Sequence, residues 1–240
     1  MNIDNLRNDG FSYCDITLEK KVLNKMQLTV NDKIKNNNDI KLKNDNFIMI
    51  NQPYLFEPFF KVATLDEILE IPFLFFEGRE FFLGTCNLRR SMTTKTKDST
   101  TTMYHRDQNL GSIDKTKNNF LKVFVYLTDV TETTGPFTYA KGSHKEMLEN
   151  IKNYRVSDQE VKTLYPETET KLTGPAGTIL VANTIGLHKG TKVQEKHRDM
   201  FTMNFSTVPE PGASKFFVNN HFLNELPLAK KKMCKYLKVV

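Results

Sequence analysis

Two short stretches of this chain carry side chains that can do metal chemistry together. His105-Arg106-Asp107 offers an imidazole and a carboxylate two positions apart; His188 stands 81 positions beyond Asp107, and Arg198 follows it ten residues later. Alternate residues of a strand point to one face, so His105 and Asp107 can converge on one ion near a strand end. Two imidazoles and one carboxylate on one face of an iron(II) ion leave the opposite face open to oxygen and an organic acid, the arrangement of non-haem Fe(II) oxygenases. An arginine can hold a carboxylate through two parallel hydrogen bonds, which lysine cannot do. Arg198 is therefore where such an enzyme would hold the far carboxylate of 2-oxoglutarate.

Taken singly, each signal has a plainer reading. His105-x-Asp107 also suits a surface loop with a hydrogen-bonding aspartate, His188 a structural histidine after a strand, and Arg198 a surface salt bridge. The pattern around Arg198 adds weight. Arg198, Met200, Thr202, Asn204 and Ser206 alternate with Phe201, Met203 and Phe205, which predicts a strand with one mostly polar and one apolar face. Buried polar groups without partners are costly. A polar face on a central strand needs a reason, and a bound dicarboxylate supplies one.

The elements that must position these residues are mostly strands. Phe81 to Arg90, Leu121 to Leu127, Pro136 to Tyr139, Thr178 to Ala182 and Arg198 to Ser206 read as strands, with turns at 141–144 and 174–177. Before residue 80 the pattern is largely helical. Asp9-Gly10 turns the chain into a short strand, Thr17 is placed to cap a helix lined by Leu18, Val22 and Met26, and Val62 to Leu69 reads as a further helix. Residues 30–46 are Asn-rich and read as a surface loop, with a short strand at Phe47 to Ile50. Residues 93–102 read as a loop or exposed hairpin, and 145–165 as a helical or irregular insertion. Many short strands preceded by helices imply a mainly β, antiparallel sandwich or open barrel with flanking helices.

The 240 residues are expected to form one domain: a helical part at about 1–79, a β core at about 80–208 and a tail at 209–240. Eighteen Phe and eight Tyr suffice for a core. The three cysteines are scattered, with no CxxC pair, which argues against a disulfide framework or a zinc ribbon and for a reducing compartment. No basic-then-apolar leader opens the chain, and no apolar run approaches the roughly 18 residues of a membrane span. A soluble, cytoplasmic protein is expected. The net charge of +6 comes from Lys spread along a Lys/Asn-rich sequence rather than from a nucleic-acid patch.

With those residues in hand, the chain resembles the phytanoyl-CoA dioxygenase-like (PhyH) family over roughly residues 5–208. The resemblance rests on Asp9-Gly10-Phe11, on Tyr104-His105-Arg106-Asp107, and on Asp129-Val130-Thr131-Glu132 followed by Gly135-Pro136-Phe137. It continues in Gly142-Ser143-His144, where Lys141 replaces a proline, and in Gly174 to Thr178 and Leu187 to Gly190. It implies a double-stranded β-helix (jelly-roll, cupin-like) core. It also implies Fe(II) held by His105, Asp107 and His188, 2-oxoglutarate and O2 as co-substrates, and Arg198, helped by Thr191, on the distal carboxylate. Asp107 occupies the position where related halogenases open a chloride site, so hydroxylation with release of succinate and CO2 is favoured over halogenation. His144 matches a structural turn and is excluded as a ligand.

The substrate is less legible. Asn87 and Arg89 share one strand face and Gln108 follows Asp107; all three are candidates to touch a small, anionic substrate. Lys122 and Tyr126 share a face and could line the pocket. For each, a barrel-edge or surface role is the plainer alternative. A nucleic-acid substrate is disfavoured, because oxygenases of that kind carry a second arginine where this chain has Asn204, and no aromatic-basic platform is evident. A non-catalytic jelly-roll binding protein is the other alternative, since fold alone does not make an enzyme.

Overall fold

A computed structural model describes residues 1–93, 102–107, 119–145 and 155–240. Its strands are β1 (Phe11–Cys14), β2 (Ile40–Lys43), β3 (Phe47–Ile50), β4 (Phe82–Met92), β5 (Tyr104–His105), β6 (Phe120–Tyr126), β7 (Phe137–Ala140), β8 (Arg155–Val156), β9 (Glu169–Leu172), β10 (Ile179–Ala182), β11 (His188–Gly190), β12 (His197–Ser206), β13 (Phe217–Val218) and β14 (Lys238–Val239). Its helices are α1 (Ile3–Asp9), α2 (Lys20–Lys35), α3 (Glu57–Ala63), α4 (Asp66–Phe75), α5 (Asp158–Leu164), α6 (Asn220–Asn224) and α7 (Leu228–Met233).

A seven-stranded sheet, ordered β1-β10-β6-β12-β4-β3-β2, faces a five-stranded sheet, ordered β8-β5-β11-β7-β9. Every pairing within the two is antiparallel. This is the expected jelly roll with flanking helices.

Strand alternation explains the layering. On β6, Val123 and Val125 join a core with Phe201, Met203 and Phe205 of β12 and with Met26, Phe59, Phe60, Ile68 and Phe75 from α2, α3 and α4. Phe124 and Tyr126 face the other way, into a core between the sheets with Phe137, Tyr139 and Leu180. The helices thus cover one face of the large sheet, and the smaller sheet covers the other. Phe59 packs edge-on against Phe201, with ring centroids 5.0 Å apart. Burying a side chain of this size contributes about 1.5–3 kcal/mol. The polar set on β12 therefore points into the space between the sheets, where Arg198, Thr202 and Asn204 are all buried.

Several expectations needed correction. The helix after β1 starts at Lys20 with Glu19 as its cap, so Thr17 does not cap it. That helix runs to Lys35, and Ile40–Lys43 is a strand, so 30–46 is not a loop. Val30 is buried on the helix and its burial overrides the weak helix propensity of the surrounding Asn residues. Val62 to Leu69 is split into α3 and α4 at Leu65, whose backbone is extended. The first 79 residues also lend β1, β2 and β3 to the large sheet. In the expected insertion, α5 begins with a capping box between Ser157 and Glu160. Residues 94–101 and 146–154 of the two expected loops lie outside the described residues.

Candidate active site

Sheet register brings the two histidines together. β11 pairs with β5 so that His188 stands opposite His105, and their rings lie 4.4 Å apart between centroids. Two residues past His105, the Asp107 backbone N–H donates to Thr184 O at 3.0 Å, which ties the third side chain to the turn before His188. One ligand atom from each of His105, Asp107 and His188 then lies within 4.8 Å of the others.

Each imidazole is oriented by its other nitrogen. His105 Nδ1 donates to Met103 O at 2.9 Å and His188 Nδ1 to Gly186 O at 2.9 Å. A carbonyl can only accept, so both Nδ1 atoms carry the proton and both Nε2 lone pairs are free for a metal. Burial pushes the pKa of both rings down, His188 to about 3, with repulsion from His105 adding to the effect. Burial pushes the Asp107 carboxyl up, but the charges of Lys122 and His188, with hydrogen bonding from Lys122 and Thr184, together outweigh it and hold the group well below the usual range. At neutral pH the three side chains are two neutral imidazoles and one carboxylate. That donor set fits iron(II) or another divalent first-row ion.

Close packing holds the turn before His188. A Cβ on Gly186 would stand 1.8 Å from Tyr139 Oη, so only glycine allows this approach. Arg106, between the two ligands, is buried and turned away, donating to Ile185 O at 2.8 Å. It fastens the β5 end to the same turn.

Arg198 lies on β12, almost wholly buried at 3% exposure. One terminal nitrogen donates to Gly135 O and the other to Ser91 Oγ at 3.3 Å, while Nε has no partner among the described residues. Gly135 belongs to the Gly135-Pro136 turn and adopts φ +81°, which favours glycine. Thr191 lines the same cavity, its hydroxyl 2.6 Å from Thr138 Oγ1. His105, His188 and Arg198 open into one cavity, whose walls also include Asn87, Arg89, Lys122, Phe124 and Phe137. Among the described residues its walls carry four cationic side chains (Arg89, Lys122, Lys192 and Arg198) and no carboxylate. Asp107 stands beside Lys122, 2.7 Å away.

Both metal-site stretches, Arg198, Thr191, Asn87 and Arg89 are thus brought to one place; Gln108 lies outside the described residues. Tyr126 does not line the cavity. Its hydroxyl donates to Leu172 O at 2.7 Å and accepts from Phe137 N–H, joining the two sheets. His144 sits apart, bonded to Arg7 O at 2.9 Å. Ser91 escaped the sequence reading, although its i+2 spacing from Arg89 was a usable signal. Nothing local marks Gly135 O as an arginine partner.

A jelly roll with a 2-His-1-carboxylate centre and a buried arginine facing the same cavity defines the class of iron(II)/2-oxoglutarate-dependent enzymes of the oxygenase type. The family model for phytanoyl-CoA dioxygenase (PhyH) matches residues 78–198, and the chain belongs to that family. No curated protein matches the sequence. Among solved structures, the chain is similar to the non-haem α-ketoglutarate-dependent carbocyclase SnoK from nogalamycin biosynthesis, at 14% identity and TM-score 0.68 over 94% of this chain and 90% of that one. It is also similar to HygX from Streptomyces hygroscopicus with nickel, 2-oxoglutarate and hygromycin B bound, at 16% identity and TM-score 0.63 over 91% and 89%. A third similar structure is the epimerase SnoN in complex with Fe3+, α-ketoglutarate and nogalamycin RO, at 15% identity and TM-score 0.66 over 85% and 81%. Identities this low speak for the fold alone.

Proposed function

We propose that the protein, acting as a single domain over residues 1–240, is an Fe(II)- and 2-oxoglutarate-dependent dioxygenase that hydroxylates a small molecule. The balance is substrate C–H plus 2-oxoglutarate plus O2 to give alcohol, succinate and CO2. The observation that carries this reading is the pairing of two ligand-ready imidazoles and Asp107 with Arg198 across one cavity. When bound, iron(II) supplies the oxygen chemistry that couples decarboxylation of 2-oxoglutarate to oxidation of the substrate.

The residues have distinct tasks. His105 and His188 present Nε2, and Asp107 a carboxylate oxygen, to the metal. Arg198 offers its Nε–H, unpartnered among the described residues, and its terminal nitrogens to the distal carboxylate of 2-oxoglutarate, with the hydroxyls of Ser91 and Thr191 beside it. Asn87, Arg89 and Gln108 are assigned to the substrate. Phe124 and Phe137 exclude water from the metal side of the cavity. Three free, buried cysteines (Cys14, Cys86 and Cys234) are consistent with a cytoplasmic, reducing setting.

The similar structures include an epimerase and a carbocyclase, so product analysis has to accompany any turnover assay. The first test is an anaerobic titration of Fe(II) and 2-oxoglutarate into metal-free protein. A visible charge-transfer band is expected in the wild type and absent in His105→Ala. Folded wild-type protein without the band would place a non-catalytic binding protein ahead.

A further inference from the structure

Of the cavity's four cations, Lys192 already has an interaction of its own; the other three are not equivalent, and the difference points to what the substrate carries. Lys122 is taken, with Nζ 2.7 Å from Asp107 Oδ2. Arg198 is anchored on Gly135 O and Ser91 Oγ and is assigned above to 2-oxoglutarate. Arg89 is different. It lies one rung along β4 from Ser91, opposite Met200 of β12, with its guanidinium 4.4 Å from the centre of the Phe47 ring. Among the described residues it makes no ion pair and no hydrogen bond, and it lines the cavity with Asn46, Phe47 and Asn87.

An arginine in this position is energetically exposed. Burial opposes its charge and so does the neighbouring Arg198. The Phe47 face offers a cation–π contact worth about as much as a weak hydrogen bond. It holds the guanidinium carbon over the ring, and among the described residues no acceptor takes its N–H groups. A flat fork of this kind matches the two oxygens of a carboxylate or phosphate. The metal would take one end of 2-oxoglutarate and Arg198 the other, so neither carboxylate of the co-substrate remains for Arg89.

We propose that Arg89 is the receptor for an oxyanion on the substrate, and hence that the substrate is a small organic acid or phosphate ester oxidised at a carbon near its anionic group. This rests on the dioxygenase reading for the assignment of Arg198; the presence of an anion site at Arg89 does not.

The test uses full-length protein loaded with Zn(II) and 2-oxoglutarate, which cannot turn over, titrated calorimetrically with inorganic phosphate and separately with acetate. Wild-type protein is expected to bind one of these anions. Arg89→Gln should weaken that binding by about tenfold or more, Arg89→Lys should recover part of it, and the affinity for 2-oxoglutarate should stay within about threefold in both. Tighter phosphate binding would indicate a phosphate ester, tighter acetate binding a carboxylic acid. The proposal is overturned if neither anion binds the wild type, or if the anion binds wild type and Arg89→Gln alike. It is also overturned if Arg89→Gln weakens 2-oxoglutarate about tenfold, which would make Arg89 a second clamp on the co-substrate. Repeating the anion titration on metal-free Arg198→Gln separates the two readings. If the wild type takes up neither Zn(II) nor 2-oxoglutarate while anion binding in that variant still depends on Arg89, the dioxygenase reading is rejected and the anion site stands.

Discussion

Lys122 Nζ stands 2.7 Å from Asp107 Oδ2, so the carboxylate of the metal centre already has a cationic partner. The lysine projects from the cavity face of β6, and both side chains are largely buried, at 16% and 20% exposure. A buried carboxylate without a partner is strongly unfavourable. Lys122 therefore serves as counter-charge to Asp107 before metal arrives, and afterwards can bond whichever carboxylate oxygen the metal leaves.

The first prediction follows from that pair. Lys122→Met should destabilise the metal-free protein by about 2–4 kcal/mol, since breaking one side of a buried pair leaves the other uncompensated. For a chain of this size that is a fall of roughly 4–16 °C in Tm. Saturating Zn(II) should close most of the gap, because the ion takes over as counter-charge. Thermal unfolding with and without Zn(II) checks this; a gap unchanged by metal would mean that Lys122 contributes only packing.

Arg198 and Asp107 should separate co-substrate from metal. Asp107→Asn preserves shape but removes the anionic ligand, and Co(II) affinity should fall by about 100-fold or more. Arg198→Gln should leave Co(II) affinity within a few-fold and weaken 2-oxoglutarate by roughly 10- to 100-fold, the range for a charge-assisted, two-point contact. Visible Co(II) absorption reports the first quantity and calorimetry the second. Equal losses of both in Arg198→Gln would count against its assigned role.

Gly186 should be intolerant of any side chain. Alanine would place its Cβ 1.8 Å from Tyr139 Oη and 3.0 Å from Ser143 Oγ. Overpacking of this kind costs about 1–3 kcal/mol. It also displaces the carbonyl that accepts from His188 Nδ1, so Co(II) affinity should fall along with stability. Urea unfolding and a Co(II) titration on Gly186→Ala measure the two; a stable variant with wild-type Co(II) affinity would show that the turn adapts.

Glu210 carries a prediction remote from the metal. Its buried carboxylate accepts from Thr85 N at 2.7 Å, Thr85 Oγ1 at 2.9 Å and Asn204 Nδ2 at 2.8 Å, where the β4–β12 register shifts. Glu210→Ala leaves the Thr85 N–H and hydroxyl unanswered, while Asn204 Nδ2 keeps only its bond to Thr85 Oγ1 at 2.7 Å, and should cost about 2–4 kcal/mol. Metal and 2-oxoglutarate affinity should be within about threefold of wild type. A urea midpoint matching the wild type would contradict this account.

Much of this was legible in residue types and short-range spacing. His105, Asp107 and His188 are the side-chain chemistry of a divalent metal site. The alternation along β12 separated a polar face from an apolar one before any neighbour was known, because a strand's side-chain period of two is local. Helix ends fared worse. Thr17 looks like a cap and does not act as one, since burial of the Met26 and Val30 face, rather than the cap, decides where α2 begins and ends. What only the tertiary structure decided depends on pairings between distant strands. The register of β11 on β5 sets His188 beside His105. The cross-sheet approach of β6 gives Asp107 its lysine, and the packing of β3 on β4 lays Phe47 under Arg89. A one-residue slip in any of these would turn the side chains to the opposite face. Local periodicity is blind to register, so the sequence alone named the donors, while the fold determined which of them meet and which cation is left for a substrate.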